Sequence, residues 1–155
     1  MIKYIEGDLL DESYNFNVII HGCNCFNTIG SGVAKALADK YPEVRQADNL
    51  TEKGSEEKLG TISVAAVTLG ENPLFIVNAY TQYNYGRQKN QYVSYDAIKS
   101  SLEQVKNVIL KGNNYKVGMP KIGAKRGGGD WNVIKKIIEN TLSDYDVTVV
   151  IYDKD

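Results

Sequence analysis

His21 is the only histidine of the chain, and it closes the apolar run Val18, Ile19, Ile20. Imidazole is the side chain that ordinarily titrates near neutrality, so His21 is the natural candidate to activate a water or to protonate a leaving oxygen. A histidine ending an apolar strand also reads as a core residue with satisfied hydrogen bonds. Asn24 follows, then the turn Ile29, Gly30, Ser31, Gly32, Val33, and then the helical spacing of Val33, Ala36 and Leu37. Glycines ahead of a helix leave backbone N–H groups bare at its partly positive end, which suits an anion such as phosphate. A second such turn, PKIGAKRGGGDW from Pro120 to Trp131, again separates an apolar run from a helical pattern. Two loops of this kind imply a ligand with two phosphates, or a long ligand held at both ends.

These loops need a sheet edge to bring them together, and the rest of the chain supplies the elements. Ile2 to Ile5 predicts a first strand, closed by Gly7-Asp8, and Val18 to Ile20 predicts a strand covered on both faces. A helix is expected over Gly32 to Lys40, stopped by Pro42, and another from about Glu43 to Lys53. Thr61 to Leu69 and Leu74 to Ala79 read as a hairpin, because the link between them is short. Tyr80 to Tyr92 is polar and tyrosine-rich and reads as a loop. Ser94 is placed to cap a helix whose core face is Ile98, Leu102, Val105 and Ile109 and which ends before Gly112. Lys116 to Met119 predicts a strand, Asp130 caps a helix packing through Ile134, Ile137, Ile138 and Leu142, and Val147 to Tyr152 predicts the last strand. This alternation implies helices on both faces of a central mixed sheet.

Bulk properties narrow the function. At 155 residues the chain fits one compact unit, 1–155, with a sizeable core. A net charge of −1 from 18 basic and 19 acidic residues argues against a broad basic face for duplex nucleic acid. No apolar run is long enough to span a bilayer, and MIKYIEGDLL does not read as a secretion signal, so no membrane partner and a cytoplasmic setting are expected. Cys23 and Cys25 are too close for an ordinary disulfide, and no motif calls for a metal or cofactor. The basic side chains not diluted by acids, Lys121, Lys125 and Arg126, fall in the second glycine loop. In sheets of this type ligands collect beyond the carboxyl ends of the strands, which brings Gly7-Asp8, His21 to Asn24, Asn78 to Tyr83 and Pro120 to Asp130 to one crevice.

Four fragments, GDLL at 7–10, HGCN followed by IGSGVAKAL, VNAY at 77–80 and MPKIGAKRGGGDW at 119–131, resemble the macrodomain family in order and spacing. The resemblance covers nearly the whole chain and implies a three-layer α/β/α fold that binds ADP-ribose. The HGCN and GGGDW forms are similar to the small branch of ADP-ribose 1''-phosphate phosphatases and terminal ADP-ribose glycohydrolases. The resemblance implies that Asp8, with Leu9 beside it, meets the adenine amino group and that Asn24 meets the distal ribose. Ile29, Gly30, Ser31, Gly32 and Val33 would hold the phosphates. Ile122, Gly123, Ala124, Lys125, Arg126, Gly127 and Gly128 would close over the diphosphate, and Asn78 and Tyr80 would line the pocket. It places a functional histidine at His21, with Asp130 the nearest partner carboxylate. Asp8 also reads as a turn-closing residue, and Asp130 as a helix N-cap.

The chain departs from the glycohydrolase pattern at two points. Those enzymes use a lysine after the strand corresponding to Leu74 to Ala79 and an aspartate in the second loop. Here Tyr80, Thr81 and Gln82 follow the strand, and the loop position is a glycine near Gly127. Lys89 lies further on and substitutes for that lysine only if the loop folds back; Arg87 in the same loop is a candidate for a terminal phosphate and also reads as a solvated loop residue. The expected activity is therefore conversion of ADP-ribose 1''-phosphate to ADP-ribose and phosphate. Removal of ADP-ribose from a protein or nucleic acid, and binding without catalysis, are the alternatives.

Overall fold

The computed structural model describes residues 1–30, 32–85, 92–124 and 127–152. Its strands are β1 (Ile2–Glu6), β2 (Val18–Cys23), β3 (Ile62–Thr68), β4 (Leu74–Tyr80), β5 (Lys116–Met119) and β6 (Asp146–Ile151). Its α-helices are α1 (Gly32–Lys40), α2 (Glu43–Asn49), α3 (Tyr95–Val105) and α4 (Trp131–Leu142). The strands form one sheet in the order β1-β6-β5-β2-β4-β3. Every neighbouring pair is parallel except β3 and β4, which form the expected antiparallel hairpin with an irregularity between Ala66 and Thr68.

Burial on both faces explains why the central strands read as apolar runs. On β2, Val18 and Ile20 point to one layer and Ile19 to the other. The first layer packs Ile98, Leu102 and Val105 of α3 and Ile134, Ile138 and Leu142 of α4 against the sheet. The second packs Leu37 and Ala38 of α1 and Val44 of α2 against Ile19, Ala65, Ile76 and Val150. The three-layer α/β/α arrangement with a mixed sheet is the one expected from the sequence. No helix of the described residues is long and apolar enough to cross a membrane.

Element ends differ from expectation, with local causes. Strand β2 continues past His21 to Cys23, because its partner β4 runs in register through Tyr80 (His21 opposite Asn78, Cys23 opposite Tyr80). Helix α2 ends at Asn49 rather than near Lys53. The Thr51 hydroxyl and amide both take the carbonyl of Asp48 (2.5 and 3.0 Å), which removes the acceptor that a further turn would use. Helix α3 gives way at Lys106 to a single wider π-turn, Lys106–Leu110.

The start of β5 is closely packed. A Cβ on Gly118 would lie 2.5 to 2.7 Å from the ring of Phe16, which is itself 8% exposed. Gly118→Ala is expected to lower stability by about 1–3 kcal/mol through overpacking, read as a reduced urea midpoint with an unchanged m-value.

Candidate functional site

A cleft of about 750 Å³ opens at the carboxyl ends of the parallel strands. It is walled by the turn after β1 (Asp8, Leu9, Leu10), by His21 and Gly22 of β2 and by the start of α1 (Gly32, Val33). Thr81 and Gln82 after β4, Pro120 to Ala124 with Gly127 after β5, and Val150 and Tyr152 at the end of β6 complete it. Parallel pairing is what brings these distant segments to one edge.

Asp8 closes its own turn, with Oδ1 accepting from Leu10 N at 3.0 Å, while the exposed side chain faces the cleft. Both expected readings of Asp8 are thus geometrically compatible. Helix α1 starts at Gly32 (φ 65°) on the cleft wall, so its first-turn N–H groups and positive dipole end lie there.

The second glycine loop is built as much by packing as by openness. Gly123 has φ 74°, and a Cβ there would lie 2.8 Å from Val93 Cγ2. A Cβ on Gly127 would meet the Gly123 carbonyl at 2.6 Å, and one on Gly129 would meet Val93 and Ile134 at 2.7 and 2.8 Å. Backbone bonds lock this shape: Gly129 N donates to Gly123 O (3.0 Å), and Tyr92 N and Val93 N donate to Gly127 O (2.7 and 3.0 Å). Tyr95 Oη accepts from Asp130 N at 3.0 Å and ties the loop to α3. Lys121 reaches the cleft wall, its ammonium 5.4 Å from the centre of the Trp131 ring.

Several residues singled out from the sequence stand away from the cleft lining. Asn24 spends its side chain on its own loop, accepting from Phe26 N (2.8 Å) and donating to Thr28 O (3.1 Å). Ile29 packs toward the second core layer, with its carbonyl on Arg45, and Gly30 borders open space. Asn78 and Tyr80 are fully buried beneath α2 rather than open to the crevice. Gly128 is a left-handed turn residue (φ 70°) outside the lining, and Asp130 caps α4 through Asn132 N at 2.9 Å. Ser31, Lys125 and Arg126 lie outside the described residues, as do Arg87 and Lys89.

Thr81, Gln82 and Lys121 line the cleft, within the segments Asn78 to Tyr83 and Pro120 to Asp130 expected there, and Tyr152 joins them although the sequence reading did not assign it. The rule that placed Asp8 beyond β1 applies equally to Tyr152 beyond β6. A strand expected to run through Tyr152 hides that position, whereas β6 ends at Ile151 and leaves Tyr152 beyond it. Thr81 enters because β2 and β4 end in register, and its hydroxyl lies where a Cβ on Gly22 would come within 2.9 Å.

His21 is 1% exposed and its Nε2 lies 2.5 Å from Asn78 Oδ1. Burial pushes its pKa down to about 4, against a smaller opposing pull from the Asn78 hydrogen bond. The ring is therefore uncharged at neutral pH, where it can accept a proton but has none to give as an imidazolium. Cys23 beside it is held as a thiol, because burial raises its pKa well above the usual value.

This burial has a consequence for stability. Between about pH 6.5 and 4 the unfolded chain protonates His21 and the native state does not, so stability falls as pH drops through that window. The full effect is about 3 kcal/mol. His21→Gln should remove it: between about pH 7 and 4.5, wild type should lose about 2 kcal/mol more than the variant in urea titrations. Equal losses would show that the ring titrates alike in both states.

The Macro domain family model matches residues 20–138. A 17.5 kDa uncharacterised protein of the tk-vs intergenic region of Enterobacteria phage T4 is 34% identical over 154 residues, spanning 99% of this chain and 97% of that one. The DNA ADP-ribosyl glycohydrolase of Mycobacterium tuberculosis is 28% identical over 98% of this chain, which spans 42% of that protein's length. The ADP-ribose 1''-phosphate phosphatase of Lodderomyces elongisporus is 26% identical, covering 98% of this chain and 99% of that one. Among solved structures, the macrodomain of Mycobacterium tuberculosis DarG superposes with a TM-score of 0.75 at 25% identity, covering 98% of this chain and 97% of that one. With the family model spanning residues 20–138 and the three-layer fold in place, this chain belongs to the Macro domain family.

Proposed function

We propose that the cleft binds ADP-ribose and that the chain hydrolyses ADP-ribose 1''-phosphate to ADP-ribose and phosphate. The observation that carries this reading is Gln82. It lines the cleft within the segment Tyr80, Thr81, Gln82 that stands where the resembling terminal glycohydrolases use a lysine after the strand. A neutral amide cannot form the covalent adduct with the distal ribose that such a lysine forms, whereas phosphate release needs only an aligned water and charge stabilisation. Gly127, near the loop position where that branch has an aspartate, lines the same cleft.

The division of labour follows from chemistry. The free oxygen of Asp8 accepts from the adenine amino group, and the first turn of α1, Ile122 to Ala124 and Gly127 face the diphosphate. Lys121 supplies the cation nearest the cleft among the described residues. In the reaction, water attacks phosphorus, the bond from phosphorus to the distal ribose oxygen breaks, and that oxygen takes up a proton. Neutral His21 serves as proton acceptor toward the water, and Asp130 acts by holding the loop ahead of α4, the helix it caps.

A second reading, binding without turnover, is favoured by the burial of His21 and by its hydrogen bond to Asn78. Phosphate release from ADP-ribose 1''-phosphate separates the two: wild type should turn it over and His21→Ala should be slower by at least about 100-fold. Tight ADP-ribose binding with no turnover of that ester, of ADP-ribosylated protein or of ADP-ribosylated DNA would establish the binding module instead. Asp8→Ala is expected to weaken ADP-ribose by about 10- to 100-fold in calorimetry, the loss of one charge-assisted hydrogen bond. Asp130→Ser keeps a capping oxygen, so activity within about 3-fold of wild type is expected, while Asp130→Ala should cost about 1 kcal/mol of stability.

A further inference from the structure

We infer that Asn78 is the positioning residue that fixes His21 as its Nε2–H tautomer, leaving Nδ1 as the ring's proton acceptor. The carbonyl of Val44 can only accept a hydrogen bond, so the Asn78 amide atom 3.2 Å from it is the nitrogen. That orientation turns Asn78 Oδ1 toward His21 Nε2 at 2.5 Å, and an oxygen without hydrogen at this distance requires the proton on the ring nitrogen.

A second, independent constraint has the same direction. Tyr80 donates to the carboxylate of Asp48, 2.7 Å away and 2% exposed. The Tyr80 oxygen is then free to accept from Ser63 Oγ (2.9 Å), and Ser63 Oγ accepts from Asn78 Nδ2 (3.0 Å). Each link donates toward Asp48, so the chain from His21 through Asn78, Ser63 and Tyr80 runs one way. Reversing the amide would oppose two carbonyl oxygens at Val44 and break the order at Ser63. The Cys23 sulfur lies 3.9 Å from both Nδ1 and Nε2, a weak partner that does not compete with Asn78 for the ring proton. On the hydrolase reading above, Nδ1 is the atom that takes the proton from water.

Because the chain has one histidine, its imidazole nitrogen signals have a single source. Long-range ¹⁵N–¹H spectra of wild type near neutral pH should show the Nε2–H pattern, and an Nδ1–H pattern or an even mixture would overturn the inference. Asn78→Leu removes the acceptor at similar size and should give a mixture of tautomers, with kcat lowered about 10-fold or more and KM within about 2-fold. An unchanged Nε2–H pattern in that variant would equally overturn it. Should Asn78→Leu not fold, Asn78→Asp keeps an acceptor and adds charge, so the Nε2–H pattern should persist with the ring's titration moved upward. Absence of that upward movement counts against the inference. An Nε2–H ring in a protein that releases no phosphate would leave the tautomer standing and remove the hydrolase reading, whereas a working phosphatase with an Nδ1–H ring would do the reverse.

Discussion

The parallel alignment of β1, β6, β5, β2 and β4 is the constraint on which the site depends. Parallel strands finish on the same edge, so the segments that follow them are delivered to one place regardless of their separation along the chain. Asp8, Gly22, Gln82, Lys121 and Tyr152 share a cleft for this reason. The antiparallel β3 closes the far edge and gives the cleft no residue, although its Ser63 completes the polar chain beneath it.

Beneath the cleft the fold makes an unusual choice for a core layer. Where β3 and β4 pass under α2, apolar side chains give way to Ser63, Asn78, Tyr80 and the Asp48 of α2, with His21 of β2 bonded to Asn78 at the end of the series. Burying such groups is costly unless every one is paired, and no buried side-chain nitrogen or oxygen of the described residues lacks a partner. Lys58, 6% exposed, adds its charge over the Tyr80 ring at 4.6 Å and bonds to Cys25 O and the Asn27 side chain. A satisfied network of this kind has directional bonds, so it holds one arrangement of the strand ends where an apolar layer would tolerate several. That rigidity is what a cleft needs in order to keep Thr81 and Gln82 at fixed positions.

The two glycine loops solve different problems with the same residue. The first presents the start of α1 with open space at Gly30, whereas in the second the glycines let the chain fold against Val93, Ile134 and its own carbonyls. A glycine count does not distinguish these uses. Both depend on what lies opposite the missing Cβ.

Much of this was legible in the amino-acid order, because it rests on short-range physics. Apolar runs bounded by turns, the caps Ser94 and Asp130, and the short link before Leu74 mark elements through local periodicity and hydrogen bonding. The C-terminal-edge rule then brings Asp8 and both loops together without coordinates. What the order of residues could not convey was orientation. Asn24, Asn78 and Tyr80 have the right chemistry for a ligand, yet Asn24 folds onto its own loop and the other two bond to α2 and β3. His21 has an ordinary titration range only in water, and its removal from water is a property of the tertiary packing around β2. The sequence by itself determined the layers, the strand edge and the types of residue available there. Tertiary packing alone decided which of them face the cleft and in what protonation state, because burial and hydrogen-bond partners come from segments far apart in the chain.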